Sequence, residues 1–450
     1  MMRRSFLAFL SLLLLCLTAS PVAAKDETPS PGDLTPFAPA EAERLIALSP
    51  DGTMVAGLQN DTGALCTFAV PSGEAIACAG LDDQGIALRE EDLRWSPNSQ
   101  SIVFAEKSFT YVKDGDLWHF DPKTGVLTDL TDEGDVGEFN PFDPSKQTGD
   151  VWFDIAPAWS PDGSTIAFSR TTFAVDSDDR PNDLMVLDVA SGEVTQLLRF
   201  DPTYPGALYF GMGWSPDGSA IYASAGYAER GNPRNGIWAF DVATGAGTLL
   251  AGASDAVEDA SPALLAVSPA GDNLTVYYPI FLGSYGYAGQ QDISGFGVLS
   301  LADATVASVQ RPTDLIAYGY LTSGPNFTPD GSTIVYGAFD TRKEIGYVIA
   351  RTLATGAESV LAELPGGDHP FTINPGIPLQ LGANGTIFIQ TQLNSGYLAT
   401  LPSDVLTPPQ PSRPPFPSAA TPVAGNDGSL VVMTVDTVMR SAPSVDAQVV

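Results

Sequence analysis

The chain has 450 residues, with 53 Asp plus Glu against 21 Lys plus Arg, two His and three Cys. A formal charge of −32 disfavours nucleic acid, whose phosphate backbone is bound by clustered Lys and Arg, and an anionic membrane surface for the same reason. With 44% hydrophobic and only 16% charged residues the chain can bury a core, which excludes disorder; two histidines exclude a histidine-rich metal centre.

Residues Met1 to Ala24 read as an export signal: Arg3 and Arg4 at the start, an apolar run from Phe6 to Leu17, and the small-residue site Val22-Ala23-Ala24. The run is shorter than the about 20 residues a membrane span takes. Cys16 follows Leu13-Leu14-Leu15, not the small residue that lipidation needs. No later stretch is long and apolar enough to anchor the chain, so the expected product is secreted or periplasmic, cleaved near Ala24, without membrane insertion.

Export permits disulfides, and two cysteines remain after the leader. In the run Leu65 to Cys78, a hairpin looped at Pro71 to Gly73 sets Val70 opposite Glu74 and Cys66 opposite Cys78. A cross-strand disulfide is the expectation; two buried free thiols are the alternative.

A Ser-Pro-Asp-Gly type of turn then recurs at intervals of 43 to 64 residues. It stands at Ser49-Pro50-Asp51-Gly52, Trp95-Ser96-Pro97-Asn98-Ser99, Trp159-Ser160-Pro161-Asp162-Gly163 and Trp214-Ser215-Pro216-Asp217-Gly218. It continues at Ser268-Pro269-Ala270-Gly271 and Phe327-Thr328-Pro329-Asp330-Gly331, with weaker copies at Gly382-Ala383-Asn384-Gly385 and Gly425-Asn426-Asp427-Gly428. Pro presets φ, Asp bonds the local backbone, and Gly takes the positive φ that re-enters a strand. Alternating strands follow, such as Ser164 to Phe168, and a second hairpin closes each repeat, as in Asp188-Val189-Ala190-Ser191-Gly192. Each repeat is therefore four short antiparallel strands, a to d. Such sheets stay dry only by stacking around an axis, which predicts an all-β fold, a β-propeller of four-stranded antiparallel blades. The aromatic residue before the turn is read as packing between blades, not as a cofactor contact.

The Trp-Ser-Pro-Asp-Gly turn with Asp-x-x-Thr/Ser-Gly in the second hairpin resembles the WD-like repeat of TolB-type propellers. The same repeat builds the propeller domains of prolyl oligopeptidase-type enzymes. The resemblance covers residues 33 to 404 and implies a fold, not an activity; the TolB amino-terminal domain has no counterpart before the first repeat. The expected organisation is a signal at 1–24, a propeller over 25–404 with seven full repeats, a Pro-rich segment at 405–422, and a remainder at 423–450. That remainder reads as a partial eighth blade or the start of an SH3-like module. Seven or eight blades are expected, eight slightly favoured, and Asp33 to Phe37 resembles a strand d that closes the ring.

The a–b and c–d turns are short, whereas the b–c and d–a connections are long, and functional residues gather on such loops. Asp135, Glu138, Asp143 and Trp152 lie in the segment Asp132 to Asp154. Asp178 and Asp179 lie with Asp176 and Asp183 in the b–c loop of the third repeat, and Tyr285 and Tyr287 in that of the fifth. Together they predict an acidic, aromatic-bearing face for a protein, peptide or glycan ligand; for the tyrosines themselves, packing within the loop is favoured over stacking on a sugar or peptide. Carboxylate clusters can hold Ca²⁺, but neither cluster has calcium-loop spacing, so no cofactor is assigned and a solvated acidic loop is the expectation.

Enzyme signals are sparse: no nucleophile elbow, dithiol motif, phosphate loop or dinucleotide fingerprint occurs. His119 lies in an alternating strand; His369, in Gly366-Gly367-Asp368-His369-Pro370, is the better catalytic candidate. No catalytic residue is assigned. A binding scaffold is the leading expectation and a propeller hydrolase or lyase the alternative.

Overall fold

Each turn of the Ser-Pro-Asp-Gly type closes on itself before it joins anything else. The computed structural model describes residues 33–82, 85–107, 115–132, 152–172, 182–199, 208–226, 235–252, 263–277, 295–310, 315–317, 325–340, 343, 345–365 and 379–409. At Ser160 the hydroxyl donates to Asp162 at 2.7 Å and accepts the Thr165 amide at 3.0 Å, while Asp162 accepts the Ser164 amide at 3.0 Å. Gly163 follows at φ 72°, its N–H on the Ser160 carbonyl at 2.9 Å, a conformation that glycine adopts without a Cβ penalty. The Ser160 hydroxyl and Ser164 amide hold the Asp162 carboxyl below its ordinary value near 3.8. The same bonds recur at Ser215 and Thr328. Where the motif is weaker the chemistry is conserved by substitution: Ser268 donates to Asp272, two positions later than usual.

The strands these turns launch form seven antiparallel sheets. A first strand, β1 (Thr35–Phe37), stands apart from the repeat that follows it. Blade 1 comprises β2 (Ala42–Leu48), β3 (Met54–Gln59), β4 (Leu65–Ala69) and β5 (Ala75–Ala79). Blade 2 has β6 (Leu88–Trp95), β7 (Ile102–Glu106), β8 (Leu117–Phe120) and β9 (Leu127–Asp129). In blade 3 come β10 (Trp152–Trp159), β11 (Thr165–Thr172), β12 (Asn182–Asp188) and β13 (Val194–Arg199). Blade 4 holds β14 (Leu208–Trp214), β15 (Ala220–Gly226), β16 (Gly236–Asp241) and β17 (Gly247–Gly252). Blade 5 is β18 (Ala263–Val267), β19 (Asn273–Tyr277), β20 (Gly295–Ser300) and β21 (Val306–Gln310). In blade 6 the innermost strand is split into β22 (Leu315–Ala317) and β23 (Asn326–Phe327), both on β24 (Thr333–Asp340), followed by β25 (Ile345–Thr352) and β26 (Glu358–Glu363). Blade 7 brings β27 (Leu379–Leu381), β28 (Thr386–Gln392) and β29 (Ser395–Thr400).

Blades are joined face to face by apolar side chains. Between blades 3 and 4, Ala158, Ala167, Leu184 and Leu198 pack against Trp214, Ile221, Trp238 and Phe240. The aromatic residue before the turn therefore packs between blades, and it also carries a polar joint. The indole N–H of Trp95 donates to the Ala47 carbonyl at 3.0 Å, that of Trp159 to Arg94 at 3.1 Å, and that of Trp214 to Ala158 at 2.9 Å. Each acceptor lies one residue before the corresponding position of the preceding blade, so one bond is repeated along blades 1 to 4.

The ring closes at seven. β1 supplies the outermost strand of blade 7, pairing with β29 from Thr35 opposite Leu398 to Phe37 opposite Gly396. Phe37 meets Phe388 edge to face at 5.9 Å. Blade 1 then abuts blade 7 directly. The Gln380 amide donates to Ile46 at 3.0 Å and its oxygen accepts the Leu48 amide; Gln390 donates to Leu45 at 3.0 Å, and Ala383 N–H to Pro50 at 2.6 Å. A Cβ on Gly382 would lie 2.6 Å from the Gly52 Cα, so the two turns meet backbone to backbone. The slight preference for eight blades is corrected here, because the strand preceding the first repeat does the closing that a further repeat would have done. Residues 423–450 and the weak copy at Gly425 to Gly428 lie outside the described residues.

Cys66 and Cys78 are directly opposed on β4 and β5 and form a disulfide. The loop differs by one residue from the expected register. Ala69, not Val70, bonds Glu74, and Ile76 is the extra residue of a bulge between Thr67 and Phe68 that restores the cysteine pairing. Closing a loop of sequence separation 12 constrains the unfolded chain. Replacing both cysteines by Ser should cost about 2–4 kcal/mol in urea unfolding, and peptide mapping without reductant should recover the two halves joined. Trp214→Phe, which removes one indole N–H and strands a buried carbonyl, should lower the urea midpoint by about 2 kcal/mol equivalent with the slope unchanged.

Candidate functional site

The first strand of each blade lines the axis, so its composition sets the character of the channel. In β14, β18, β22, β23 and β27 these strands carry no charged residue. In β6 the sequence is Leu88-Arg89-Glu90-Glu91-Asp92-Leu93-Arg94-Trp95, five charges in six positions. β6 cannot pair evenly with β7. Arg89 faces Ala105 and Arg94 faces Val103, so Glu90 to Leu93 stand against the single residue Phe104. A bulge of this kind re-aims side chains.

Two of the re-aimed carboxylates reach opposite neighbours. Glu90 takes Arg44 of β2 in blade 1, Nη1 donating to its two oxygens at 2.6 and 2.7 Å. Asp92 accepts the Ala156 amide of β10 in blade 3 at 3.1 Å. Ala156 sits at φ 55°, an uncommon conformation for an L-residue, inside a bulge of β10 and before Pro157. Burial pushes the Asp92 carboxyl above its ordinary value, opposed by Arg89 and Arg94. Between them, Glu91 points outward with its side chain 39% exposed and receives Arg89 Nε at 3.0 Å; the same Nε lies 3.1 Å from Asp92. Arg94 donates through Nη1 to the carbonyls of Glu91 and Leu93 at 2.7 and 2.9 Å, fixing the bulge from behind.

Blade 3 continues the pattern in register. β11 sets Arg170 between Asp154 on β10 and Asp183 on β12. Asp154 is 1% exposed and takes Arg170 in a two-point bond, Nε at 2.7 Å and Nη2 at 2.5 Å. Burial raises the Asp154 carboxyl, and Arg170 and the Thr131 hydroxyl oppose it. The start of β10 is fixed from blade 2: Gly115 N–H donates to Trp152 at 2.9 Å, and the Asp154 amide to Gly115 at 2.8 Å. A Cβ on Gly115 would lie 2.9 Å from the Phe153 ring, so the close approach requires glycine.

Of the residues singled out in the sequence, Trp152 opens β10 and is half-buried at the end where the b–c and d–a connections leave the blades. Asp135, Glu138, Asp143, Asp178, Asp179, Tyr285, Tyr287 and His369 lie outside the described residues. Asp154 and Asp183 are not loop carboxylates. β11 and β12 extend to Thr172 and back to Asn182, which draws both acids into the sheet beside Arg170. His119 lies half-buried in β8, opposite Val103 and Thr128; burial lowers its pKa and Asp121 opposes this. Among the described residues no group of three His, Cys, Asp or Glu side chains could hold a metal ion, and no helix is long and apolar enough to cross a membrane. Sequence reasoning missed Arg44, Arg89, Glu90, Glu91, Asp92, Arg94 and Arg170. The available signal was the charged run Arg89 to Arg94, set where the corresponding part of the next repeat reads Ile155-Ala156-Pro157-Ala158.

No family model matches the chain. A stretch of 161 residues is 27% identical to Dipeptidyl-peptidase 5 of Porphyromonas gingivalis, covering 34% of this chain; the match spans one fifth, 20%, of that curated relative. Among solved structures, an oligogalacturonate lyase in complex with manganese superposes with a TM-score of 0.52 at 11% identity, over 84% of this chain and 98% of that one. An oligogalacturonate lyase from Vibrio parahaemolyticus gives 0.52 at 10% identity, over 84% and 100%. At such identities the likeness is one of fold.

The Asp154–Arg170 pair is buried, so its halves are unequal to lose. Arg170→Ala should cost about 3–5 kcal/mol, because it leaves a carboxylate without its counter-ion. Replacing Asp154 and Arg170 by Leu together with Asp183→Asn, so that no carboxylate is left beside the lost arginine, should cost clearly less, and comparison with the single variants in urea measures the difference.

Proposed function

We propose that this chain is an exported β-propeller acting as a binding scaffold, with its ligand, a protein, peptide or glycan, on the face where the long connections emerge. The observation that carries the reading is how the mouth spends its acids. Glu90 is tied to blade 1, Asp92 to blade 3, and Asp154 to Arg170. Carboxylates so engaged fasten neighbouring blades and hold the ends from which the long connections leave, a rigid base that favours binding; a general acid or base needs access to the proton it moves. Trp152 and the loop residues Asp135, Glu138, Asp143, Asp178, Asp179, Tyr285 and Tyr287 are assigned to this surface. Export is supported by the leader Met1 to Ala24 and by the Cys66–Cys78 disulfide, a bond that persists in oxidising compartments.

A second reading, a propeller enzyme acting on glycans or peptides, draws on the names of a relative and a neighbour, a dipeptidyl-peptidase and an oligogalacturonate lyase. One experiment separates the two. The chain without its leader is probed on glycan and peptide arrays, and the strongest ligands are then incubated for turnover. Saturable binding without turnover is expected. The paired variants Asp178→Asn/Asp179→Asn and Tyr285→Ala/Tyr287→Ala should weaken it at least tenfold with an unchanged thermal midpoint. Turnover would transfer the assignment to the enzyme reading, and an empty array would end the scaffold reading.

A further inference from the structure

Two arginines at the channel mouth are only partly used by the protein. Arg44 donates through Nη1 alone, to Glu90. Arg89 donates through Nε alone, to Glu91, with Asp92 beside it. A guanidinium carries five N–H donors in a planar fork. Among the described residues, Nη1 and Nη2 of Arg89, and Nε and Nη2 of Arg44, therefore have no protein acceptor. Both side chains are open to solvent, at 21% for Arg44 and 32% for Arg89. They flank one residue, since Arg44 binds Glu90 and Arg89 precedes it in the bulge. Arg94 lies behind, its Nη1 on backbone carbonyls.

Charge agrees with the donor count. Glu90, Glu91 and Asp92 balance Arg44, Arg89 and Arg94, so the six groups of this sector sum to zero, and to −1 once the neighbouring Glu43 is counted, within a chain of −32. It is a place where an anion meets little of the repulsion that the rest of the molecule exerts. One further acid is near in the chain, Glu43, the exposed bulged residue of β2 beside Arg44.

We propose that the mouth between the innermost strands of blades 1 and 2 binds the carboxylate group of a small ligand, end-on at Nη1 and Nη2 of Arg89 with Arg44 alongside. A planar carboxylate matches the fork at two points, which a point charge such as an ammonium does not offer. The bulge preorganises the site, because Glu90 and Asp92 fix it to both neighbouring blades while Glu91 holds Arg89 by Nε and leaves its outer edge open. The proposal deepens the binding reading and rests on it; a protein or glycan could still occupy the loop-rich face without this contact.

The test is calorimetric titration of the chain without its leader against two matched pairs, glucuronate with glucose and N-acetylglutamate with N-acetylglutamine, at low and high salt. At least one acid should bind and its neutral partner should not, with affinity falling as salt rises. Arg89→Gln should weaken binding at least tenfold, Arg89→Lys should recover part of it, and Glu43→Gln should strengthen it. Arg351→Gln, which removes an arginine paired with Glu358 on blade 6, should change nothing. Binding of glucuronate alone identifies a sugar acid, of N-acetylglutamate alone an acidic side chain; either upholds the proposal. Equal behaviour of acids and neutral partners, or Arg89→Gln binding like the parent, would overturn it. Should Arg89→Gln fail to fold, Arg44→Gln and Arg89→Lys decide by the same readout. If every carboxylate fails while an array ligand persists, this proposal falls and the scaffold reading stands.

Discussion

The indole of Trp214, buried in one cluster with Ala158 and Leu184 and with its N–H on the Ala158 carbonyl, shows in one side chain what holds the molecule together. Four short strands make a sheet with two faces and too little chain to cover either. Each blade must lend a face to its neighbour, and a polar atom carried into that joint must find its partner there. Trp95 and Trp159 repeat the bond, so the joint is apolar in area and directional in detail. The apolar surface supplies the affinity between blades, and the indole bond fixes how one blade is set on the next.

A stack of such sheets ends in two wet faces unless it returns on itself, and the seam shows how that is achieved. Blade 7 borrows β1 from the start of the chain, which ties the two ends of the propeller by backbone bonds as well as by the Phe37–Phe388 contact. The indole joint is replaced there by glutamines, Gln380 and Gln390, bonding backbone groups of β2. Different side chains satisfy the same need, which is to leave no backbone group of the seam dry and unpaired.

The same constraint explains why the charged half of the channel is built as it is. Carboxylates taken out of water at a joint between blades are costly unless paired. Glu90, Asp92 and Asp154 are accordingly met by Arg44, by the Ala156 amide and Arg89, and by Arg170. Charge that looks like chemistry in the sequence serves first as fastening. What is left over for a ligand is the outer edge of arginines whose inner atoms are already engaged.

Much of this was legible in the residues. The turn sequence carries its own hydrogen bonds, all within five positions, so local chemistry determined the repeat and the four-strand blade, and the need to stack such blades the propeller; the facing of Cys66 by Cys78 was foreseen from the hairpin spacing but is reached through a bulge. Even the closing role of Asp33 to Phe37 could be read, because that stretch has the form of a strand d. Tertiary structure alone decided the rest, since it depends on which distant segments meet. Seven blades and not eight followed from β1 reaching β29. The one-residue shift at Ala69 followed from a bulge at Ile76 that no spacing announces. Asp154 and Asp183 passed from loop acids to sheet residues because β11 and β12 run further than their turns required. The run Arg89 to Arg94 was visible as charge, but its meaning lay 46 and 64 residues away, at Arg44 and Ala156. Contacts within a turn are written in adjacent letters, whereas contacts between blades exist only once the ring has brought their surfaces together.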